Sequence, residues 1–203
     1  MDSLIKNIVF DIGNVLAAFD WEGTLRRMHL PEEEYEAIAD AVYRSSDWNE
    51  MDRGVLTTEE VIQRFCRKIP QYEEDIRKAI ADYSGTIRQY PYTKELIRLL
   101  KEKGCRVYYL SNYGAYALEE TKDQLDFTEL MDGGLYSFEM QMIKPNRWLF
   151  MELLHRYGLK ADETVFFDDN PKNAGAACEV GMKGITFTGY EAAKEKLKEL
   201  GVL

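Results

Sequence analysis

The sequence has few of the residues and segments that mark secreted, membrane-spanning or nucleic-acid-binding proteins. Its 203 residues include three cysteines, and Cys66, Cys105 and Cys178 are scattered without the spacing of a metal site. An odd, sparse set is typical of reduced thiols, so we predict a cytoplasmic protein. No apolar run reaches the roughly 18 residues of a membrane span, and the N-terminus shows no apolar signal segment. We therefore expect neither secretion nor contact with a membrane.

Positive charge is also scarce. The chain has 26 lysines and arginines against 36 aspartates and glutamates, which gives a net charge of −10. This balance excludes non-specific binding to nucleic acid or to anionic membranes, and an anionic substrate would need local positive charge. With 45% hydrophobic residues, the chain can build one domain, or a core with an inserted subdomain. Composition leaves the oligomeric state open.

The order of predicted elements indicates an α/β fold. A strand is expected at 6–10, followed by a charged, helical segment at 20–83. After Pro91, strands predicted at 106–110, 135–138, 164–167 and 183–187 alternate with helices at 93–103, 115–125, 146–157, 173–180 and 191–200. Such alternation is typical of right-handed crossovers and a parallel sheet.

Two helix starts in the charged segment have clear signals. Pro31 precedes three glutamates, which favours a first helical turn with acids at the positive end of the dipole. Thr57 and Glu60 have the spacing of a capping box. A further helix is expected at 73–83.

Carboxylates end two of the buried apolar runs. Asp11 follows Ile8-Val9-Phe10, and the pair Asp168-Asp169 follows Val165-Phe166-Phe167. Ligands bind at the carboxyl ends of parallel strands, where residues distant in sequence meet. Carboxylates that lie close together repel each other and need a cation between them. Ligation by oxygen alone selects a hard ion, and we expect Mg²⁺.

Two further polar pairs fall next to predicted strands or helices. Ser111-Asn112 ends the strand at 106–110, and Lys144-Pro145 precedes a helix. A phosphoryl group in transfer needs its charge neutralised and its oxygens held by preorganised donors. Carboxylates, a hydroxyl with backbone donors and a cation at one edge of a sheet therefore favour phosphoryl chemistry.

The four motifs, in this order, resemble those of the haloacid dehalogenase superfamily, in its phosphatase branch with a helical cap after the first strand. The resemblance covers nearly the whole chain. The strings FDIGNVL around Asp11 and FFDDN around Asp168 are similar to the subgroup of glucose-1-phosphate phosphatases and the phosphatase domain of bifunctional epoxide hydrolases. The resemblance implies a Rossmann-like parallel sheet built from residues 1–18 and 86–203, and an α-helical cap at 19–85.

The resemblance also implies roles for residues that match the family motifs. Asp11 would attack phosphorus and form an aspartyl-phosphate. Ser111 and the Asn112 amide would hold phosphoryl oxygens, and Lys144 would neutralise the charge of nucleophile and phosphate.

The implied metal ligands are Asp11, the backbone carbonyl of Gly13, and Asp169. Asp168 takes the position of a small residue in the family pattern and is the second choice as a ligand. Asn173 stands where the family has a second acid.

Gly13 departs from the family pattern, which places a general acid/base aspartate two residues after the nucleophile. Loss of a positioned acid/base typically costs about 10²–10⁴-fold in rate. Asp20 is a candidate replacement, and the alternative is that Asp20 caps the following helix.

The predicted function is Mg²⁺-dependent hydrolysis of a small phosphorylated metabolite, with a sugar phosphate favoured. Because of Gly13, the main alternative is a non-catalytic or weakly active phosphate-binding or interaction protein. A haloacid dehalogenase would have no use for an acidic metal pair, and a phosphomutase would need a retained acid/base. No nucleic-acid or membrane partner is expected.

Overall fold

The computed structural model describes residues 4–203 and contains a parallel sheet covered by helices on both faces. The strands are β1 (Asn7–Phe10), β2 (Ala17–Phe19), β3 (Ile87–Gln89), β4 (Arg106–Ser111), β5 (Gly133–Tyr136), β6 (Thr164–Asp168) and β7 (Lys183–Thr186). The helices are α1 (Trp21–Arg27), α2 (Glu32–Ala41), α3 (Trp48–Arg53), α4 (Thr58–Lys68), α5 (Glu73–Ala81), α6 (Thr93–Glu102), α7 (Ala115–Thr121), α8 (Ser137–Met140), α9 (Arg147–Arg156), α10 (Pro171–Glu179) and α11 (Tyr190–Glu199).

The main sheet has the strand order β5-β4-β1-β6-β7, and each neighbouring pair is parallel. This confirms the predicted α/β class and the parallel sheet. Strand β1 lies between β4 and β6. From β1 the sheet extends through β4 to β5 on one side and through β6 to β7 on the other. The carboxyl end of such a central strand opens into a crevice, where α/β proteins bind ligands.

Alternating side chains of the central strands build a core on each face of the sheet. Phe10 and Phe167 stack with ring centroids 5.4 Å apart on one face, in the cluster that contains α6 and α11. Val9 and Phe166 point to the other face, where α9 and α10 cover them. Strands buried on both faces explain why their sequences read as continuous apolar runs.

The predicted strand at 135–138 is wrong by two residues, because strand β5 runs from Gly133 to Tyr136. Residues Ser137–Met140 form the short helix α8. Glu139 accepts a hydrogen bond from the Tyr136 amide at 3.0 Å and so starts this helix. Gly134 has little strand propensity, but its missing side chain leaves room for the Tyr109 ring, which a Cβ atom would approach to 2.3 Å.

A second, antiparallel sheet of β2 and β3 was not predicted. Its strands have three residues each, too few for a periodic signal. They flank the helical insertion, defined here as residues 20–86, and the Asp20 amide continues the pairing to the Thr86 carbonyl at 2.7 Å. Helices α1 to α5 of the insertion share their own apolar cluster around Leu25, Phe65 and Ile76. The division into core and cap at residues 18/19 and 85/86 stays a prediction.

The predicted helix starts in the insertion are confirmed. Helix α2 begins after Pro31, with three glutamates in its first turn. Thr57 and Glu60 form the capping box of α4. No helix within residues 4–203 is long and apolar enough to cross a membrane.

Gly184, at the contact between β7 and α10, and Gly175, on the exposed side of α10, together test the packing that positions α10. At Gly184, a Cβ atom would lie 1.8 Å from the Ala174 carbonyl oxygen, whereas at the exposed Gly175 it would meet nothing within 4 Å. We expect Gly184→Ala to lower the free energy of unfolding by about 1–3 kcal/mol through overpacking. Gly175→Ala should raise it by up to about 1 kcal/mol through helix propensity. Denaturant unfolding measures both, and equal effects would contradict this account of the contact.

Candidate active site

The carboxyl ends of β1, β4 and β6 meet at one cavity of about 150 Å³. Asp11 follows β1, Ser111 ends β4, and Asp169 follows β6, so the parallel register brings together residues that are far apart in the sequence. All three line the cavity. The structure therefore juxtaposes three of the four predicted motifs directly, and the fourth, at Lys144, lies beneath them.

The Lys144 ammonium group is buried between two carboxylates. It donates to Asp11 Oδ1 at 2.8 Å, to Asp168 Oδ2 at 2.7 Å and to the Leu110 carbonyl at 2.9 Å. These contacts use all three donors of the group. Burial by itself lowers the pKa of Lys144, but the two carboxylates reverse the effect and raise it above its ordinary value. The lysine is therefore charged and fixed.

Asp168 is held by donors on both oxygens. Its Oδ1 accepts from the Asn170 amide at 2.8 Å and from Asn173 Nδ2 at 3.0 Å, and its Oδ2 accepts from Lys144 and from Asn173 Nδ2 at 2.7 and 3.1 Å. A carboxylate has about four acceptor positions. Asp168 has filled them and acts here as an anchor for Lys144 and for the start of α10.

The two carboxylate oxygens of Asp11 differ in their hydrogen bonds. Its Oδ1 accepts from the Ile12 amide at 2.7 Å and from Lys144. Within the described part of the chain, its Oδ2 accepts no hydrogen bond. Burial raises the pKa of Asp11 to about 6, with Lys144 opposing the rise and Asp168 adding to it. A cation at this site would restore the charged form.

The three aspartates fit a hard divalent cation. Asp11, Asp168 and Asp169 each offer a carboxylate oxygen, and these oxygens lie within 4.8 Å of one another. Asp169 is exposed and receives one hydrogen bond, from Asn14 Nδ2 at 3.2 Å. The neighbouring groups still remove part of the hydration of this carboxyl, which raises its pKa, and the nearby Asp168 adds to the rise. Because Asp168 is already saturated by donors, the geometry favours Asp169 over Asp168 as the direct ligand.

Ser111 and Asn112 differ in what their side chains do. The Ser111 residue is buried and lines the cavity, and its hydroxyl makes no hydrogen bond within residues 4–203, so it is available to a ligand. The Asn112 side chain accepts from the Lys144 amide at 2.8 Å and donates to the Lys144 carbonyl at 3.3 Å. It therefore positions the segment that carries the lysine.

Asp20 is the N-cap of α1, which confirms the structural alternative given for it. Its Oδ1 accepts from the Gly23 amide at 2.9 Å. The side chain is exposed and is not among the residues that line the cavity. The geometry gives no support to its use as a replacement acid/base.

The sequence analysis did not identify Asn14 or Asp52, whose polar side chains line the cavity. Asn14 adopts a left-handed conformation with φ 56°, and its side chain links the Asp169 carboxylate to the Phe19 amide, at 3.2 Å each. The string FDIGNVL contained this residue, but nothing in the sequence indicated its partner. Asp52, at the end of α3, lines the cavity although it is far from the motifs in sequence. The chain has 36 aspartates and glutamates, and no local sequence pattern distinguishes Asp52 from the others.

The remaining wall of the cavity is apolar and aromatic. It is formed by Phe19, Trp48, Tyr83, Ile87 and Tyr113. Trp48 packs against Phe19 and Tyr83 with ring centroids 5.7 and 5.9 Å apart. It is half-buried, so it is part of the packing and also faces the cavity. The helical insertion therefore supplies much of the surface that a bound molecule would contact.

Comparison with known proteins gives one family for nearly the whole chain. The family model described as haloacid dehalogenase-like hydrolase matches residues 5–181. A sesquiterpene phosphatase of Aspergillus oryzae is 26% identical over 201 residues, which are 98% of each chain. A phosphoglycolate phosphatase of Haemophilus influenzae is 22% identical over 206 residues, covering 94% of this chain and 89% of the relative.

Solved structures agree on the fold. A haloacid dehalogenase family enzyme of Bacteroides thetaiotaomicron, crystallised as a magnesium complex, superposes with a TM-score of 0.72. It is 20% identical, and the match covers 96% of this chain and 99% of that one. At this identity the likeness concerns the fold alone.

The different surroundings of the two neighbouring acids predict different effects of their removal. Asp169→Ala should weaken Mg²⁺ binding more than Asp168→Ala, because Asp169 has free oxygens. Asp168→Ala should instead cost about 1–3 kcal/mol of unfolding free energy, because it breaks the buried Lys144–Asp168 ion pair and leaves the Asn170 amide and Asn173 Nδ2 without this acceptor. Isothermal titration with Mg²⁺ and denaturant unfolding of both variants measure the two effects. The reverse order in either measurement would contradict the assignment.

Proposed function

Because this chain belongs to the haloacid dehalogenase-like hydrolase family, we propose that it is a phosphatase that hydrolyses small phosphorylated metabolites. The reaction uses Mg²⁺ and an aspartyl-phosphate on Asp11. The observation that carries the proposal is the state of Asp11, which has one oxygen held by Lys144 and the Ile12 amide, while the other accepts no hydrogen bond from residues 4–203. A fixed carboxylate with one free oxygen has the geometry of a nucleophile.

The first half of the reaction forms the phosphoenzyme. The free oxygen of Asp11 attacks phosphorus, the bond between phosphorus and the ester oxygen breaks, and the ester oxygen takes up one proton, so that an alcohol leaves. That proton is returned in the second half, when the attacking water loses one. Lys144 keeps Asp11 oriented and offsets the negative charge that gathers around it. The Ser111 hydroxyl, which lines the cavity and has no hydrogen-bond partner in the described part of the chain, donates to a phosphoryl oxygen, and the Asn112 amide is the second proposed donor.

The second half restores the enzyme. Water attacks phosphorus, the acyl-phosphate bond breaks, and inorganic phosphate leaves. Asp11, Asp169 and the Gly13 carbonyl would hold Mg²⁺, with Asp168 as the second choice. When bound, the ion supplies neutralisation of the carboxylate and phosphoryl charges. The Mg²⁺ complex of the Bacteroides thetaiotaomicron enzyme supports this choice of metal.

The residues that line the cavity favour some classes of substrate over others. Its aromatic side chains, with Trp48 and Tyr83 stacked at 5.9 Å, suit a leaving group with an apolar surface. The C–H face of a sugar and an isoprenoid chain both meet this requirement. No lysine or arginine is among the described residues that line the cavity, so a leaving group with its own negative charge is disfavoured.

A sugar phosphate therefore stays the first prediction, and an isoprenoid monophosphate is the second. The second candidate has support from the aromatic wall and from the relative named as a sesquiterpene phosphatase. A panel of glucose 1-phosphate, farnesyl phosphate and phosphoglycolate separates these classes by kcat/KM. We expect phosphoglycolate to be the poorest of the three.

Substitution of the nucleophile tests the proposed chemistry. Asp11→Asn preserves the shape of the side chain but removes its anionic oxygen, so phosphate release should fall below detection while the fold is retained. Asp20→Asn is the matched control, because asparagine caps helices about as well as aspartate. It should keep the activity of the wild type. Near-normal turnover of Asp11→Asn would refute the aspartyl-phosphate, and a collapse of Asp20→Asn would restore Asp20 as an acid/base.

Removal of the metal separates a phosphatase from a phosphate-binding protein and from a dehalogenase. We expect phosphate release from p-nitrophenyl phosphate with Mg²⁺ and none in the presence of a chelator, with recovery when Mg²⁺ is returned. Chloride release from 2-chloropropionate should be absent under both conditions. Binding of phosphate without turnover of any ester would favour the non-catalytic alternative.

A further inference from the structure

We propose that Asp52, at the end of α3 in the helical insertion, is the general acid and base of this enzyme. It takes the place of the carboxylate that is missing at position 13. The inference rests on the proposed phosphatase function and deepens it by assigning the proton transfers to a residue outside the four motifs.

The first support is the position of Asp52. It lines the same cavity as Asp11 and Ser111, but it belongs to the helical insertion, whereas those two residues stand at strand ends of the sheet. A nucleophile on the sheet side and an acid on the insertion side would enclose the ester between them. This is the arrangement that in-line displacement requires, since the leaving oxygen departs on the side away from the nucleophile.

The second support is that the carboxylate has no partner. Asp52 is 9% exposed, and within residues 4–203 its carboxylate accepts no hydrogen bond and forms no ion pair. A buried carboxylate without a donor destabilises a fold. Asp168, which is fully buried, shows the usual solution, since its carboxylate accepts four hydrogen bonds. A role in binding a ligand or in exchanging protons with it would explain why this buried acid lines the cavity without such a partner.

The core holds the backbone of Asp52 in place. The Ser137 hydroxyl donates to the Asp52 carbonyl at 2.6 Å, and α3 ends at Gly54 in a left-handed conformation with φ 70°. At Gly114, a Cβ atom would lie 2.3 Å from the Met51 carbonyl oxygen. Only glycine permits this approach, so the core loop after β4 is shaped to receive the end of α3. The carboxylate is thereby preorganised relative to Asp11.

The other titratable groups of the cavity do not suit the role. Asp169 is exposed and is proposed as a metal ligand. Burial raises the pKa of Tyr83 and of Tyr113 far above neutrality, and the Tyr113 hydroxyl is already paired with Thr121 at 2.6 Å. Neither His29 nor His155 is among the residues that line the cavity.

The protonation behaviour of Asp52 agrees with this position. Burial raises the pKa of its carboxyl to about 7, the charge of Asp11 adds to the rise, and Lys144 opposes it. An acid/base works best when its pKa lies near the operating pH. At neutral pH, both the acid and the base form of Asp52 are therefore accessible.

The proton balance closes over one turnover. Protonated Asp52 gives its proton to the ester oxygen as the bond to phosphorus breaks, so the product leaves as a neutral alcohol and Asp52 becomes a carboxylate. That carboxylate takes a proton from the water that attacks the phosphorus of the aspartyl-phosphate. Inorganic phosphate leaves, Asp11 regains its carboxylate, and Asp52 is protonated for the next turnover.

The test is the dependence of kcat/KM on the acidity of the leaving group, measured for wild type and Asp52→Asn. A proton donor matters for alkyl phosphates and hardly at all for 2,4-dinitrophenyl phosphate, whose leaving group departs as an anion. We expect a shallow dependence in the wild type. In Asp52→Asn we expect a loss of about 10²–10⁴-fold for alkyl phosphates, with the dinitrophenyl ester cleaved at near wild-type kcat/KM.

Two further variants sharpen the experiment. Glu50→Gln is the matched control on α3, because Glu50 pairs with Arg53 at 3.2 Å and does not line the cavity. It should leave the dependence unchanged. Gly13→Asp in the Asp52→Asn background should recover alkyl phosphate hydrolysis, since a Cβ atom at Gly13 meets nothing within 4 Å. Recovery shows that the lost function is proton transfer.

The outcomes distinguish this inference from the proposed function. An equal loss across the whole series, no loss at all, or a double variant as inactive on alkyl phosphates as Asp52→Asn would overturn the role of Asp52 and leave the phosphatase intact. Failure of the wild type to release phosphate from even the dinitrophenyl ester with Mg²⁺ would overturn the phosphatase itself.

Discussion

The buried ammonium group of Lys144 is the interaction on which the site depends. It lies between the carboxylates of Asp11 and Asp168 and caps the Leu110 carbonyl, so it joins the carboxyl ends of three neighbouring strands. Two buried acids at this distance repel each other, and removing charges from water is costly unless they are paired and hydrogen-bonded. Lys144 supplies that pairing. Without it, the convergence of strand ends that forms the cavity would concentrate negative charge with nothing to offset it.

The same interaction separates the roles of adjacent acids. Lys144, Asn170 and Asn173 occupy all the acceptor positions of Asp168, whereas Asp169, the next residue, receives a single hydrogen bond from Asn14. On Asp11, Lys144 and the Ile12 amide occupy one oxygen and leave the other. The free oxygens of Asp11 and Asp169 are therefore those that are not needed to stabilise the buried charge of Lys144. In our proposal these oxygens carry the chemistry.

The helical insertion completes the site from the opposite side. Trp48 and Tyr83 contribute two of the aromatic side chains in the cavity wall, and Asp52 lines the cavity with a carboxylate that accepts no hydrogen bond from residues 4–203. The insertion is held to the core by close backbone contacts, at Gly114 against Met51 and through the Ser137 hydroxyl. Apolar walls strengthen electrostatic interactions by excluding water. An enzyme that lacks an acid on the loop after β1 can in this way obtain one from the element that covers the substrate.

The sequence by itself determined the α/β class, the strands at the centre of the sheet, the helix caps at Pro31 and Thr57, and the set of motifs at the strand ends. These follow from local patterns, because an apolar run, a capping box or an acid at the end of a strand is contained within a few residues. Only the tertiary structure decided which oxygens are free, how the short β2–β3 ribbon forms, and that Asp20 caps a helix while Asp52 enters the cavity. The physical reason is that these depend on contacts between distant segments. Whether an acid on α3 faces water or the cavity beside Asp11 depends on how α3 packs against the core. No local sequence pattern predicts that packing.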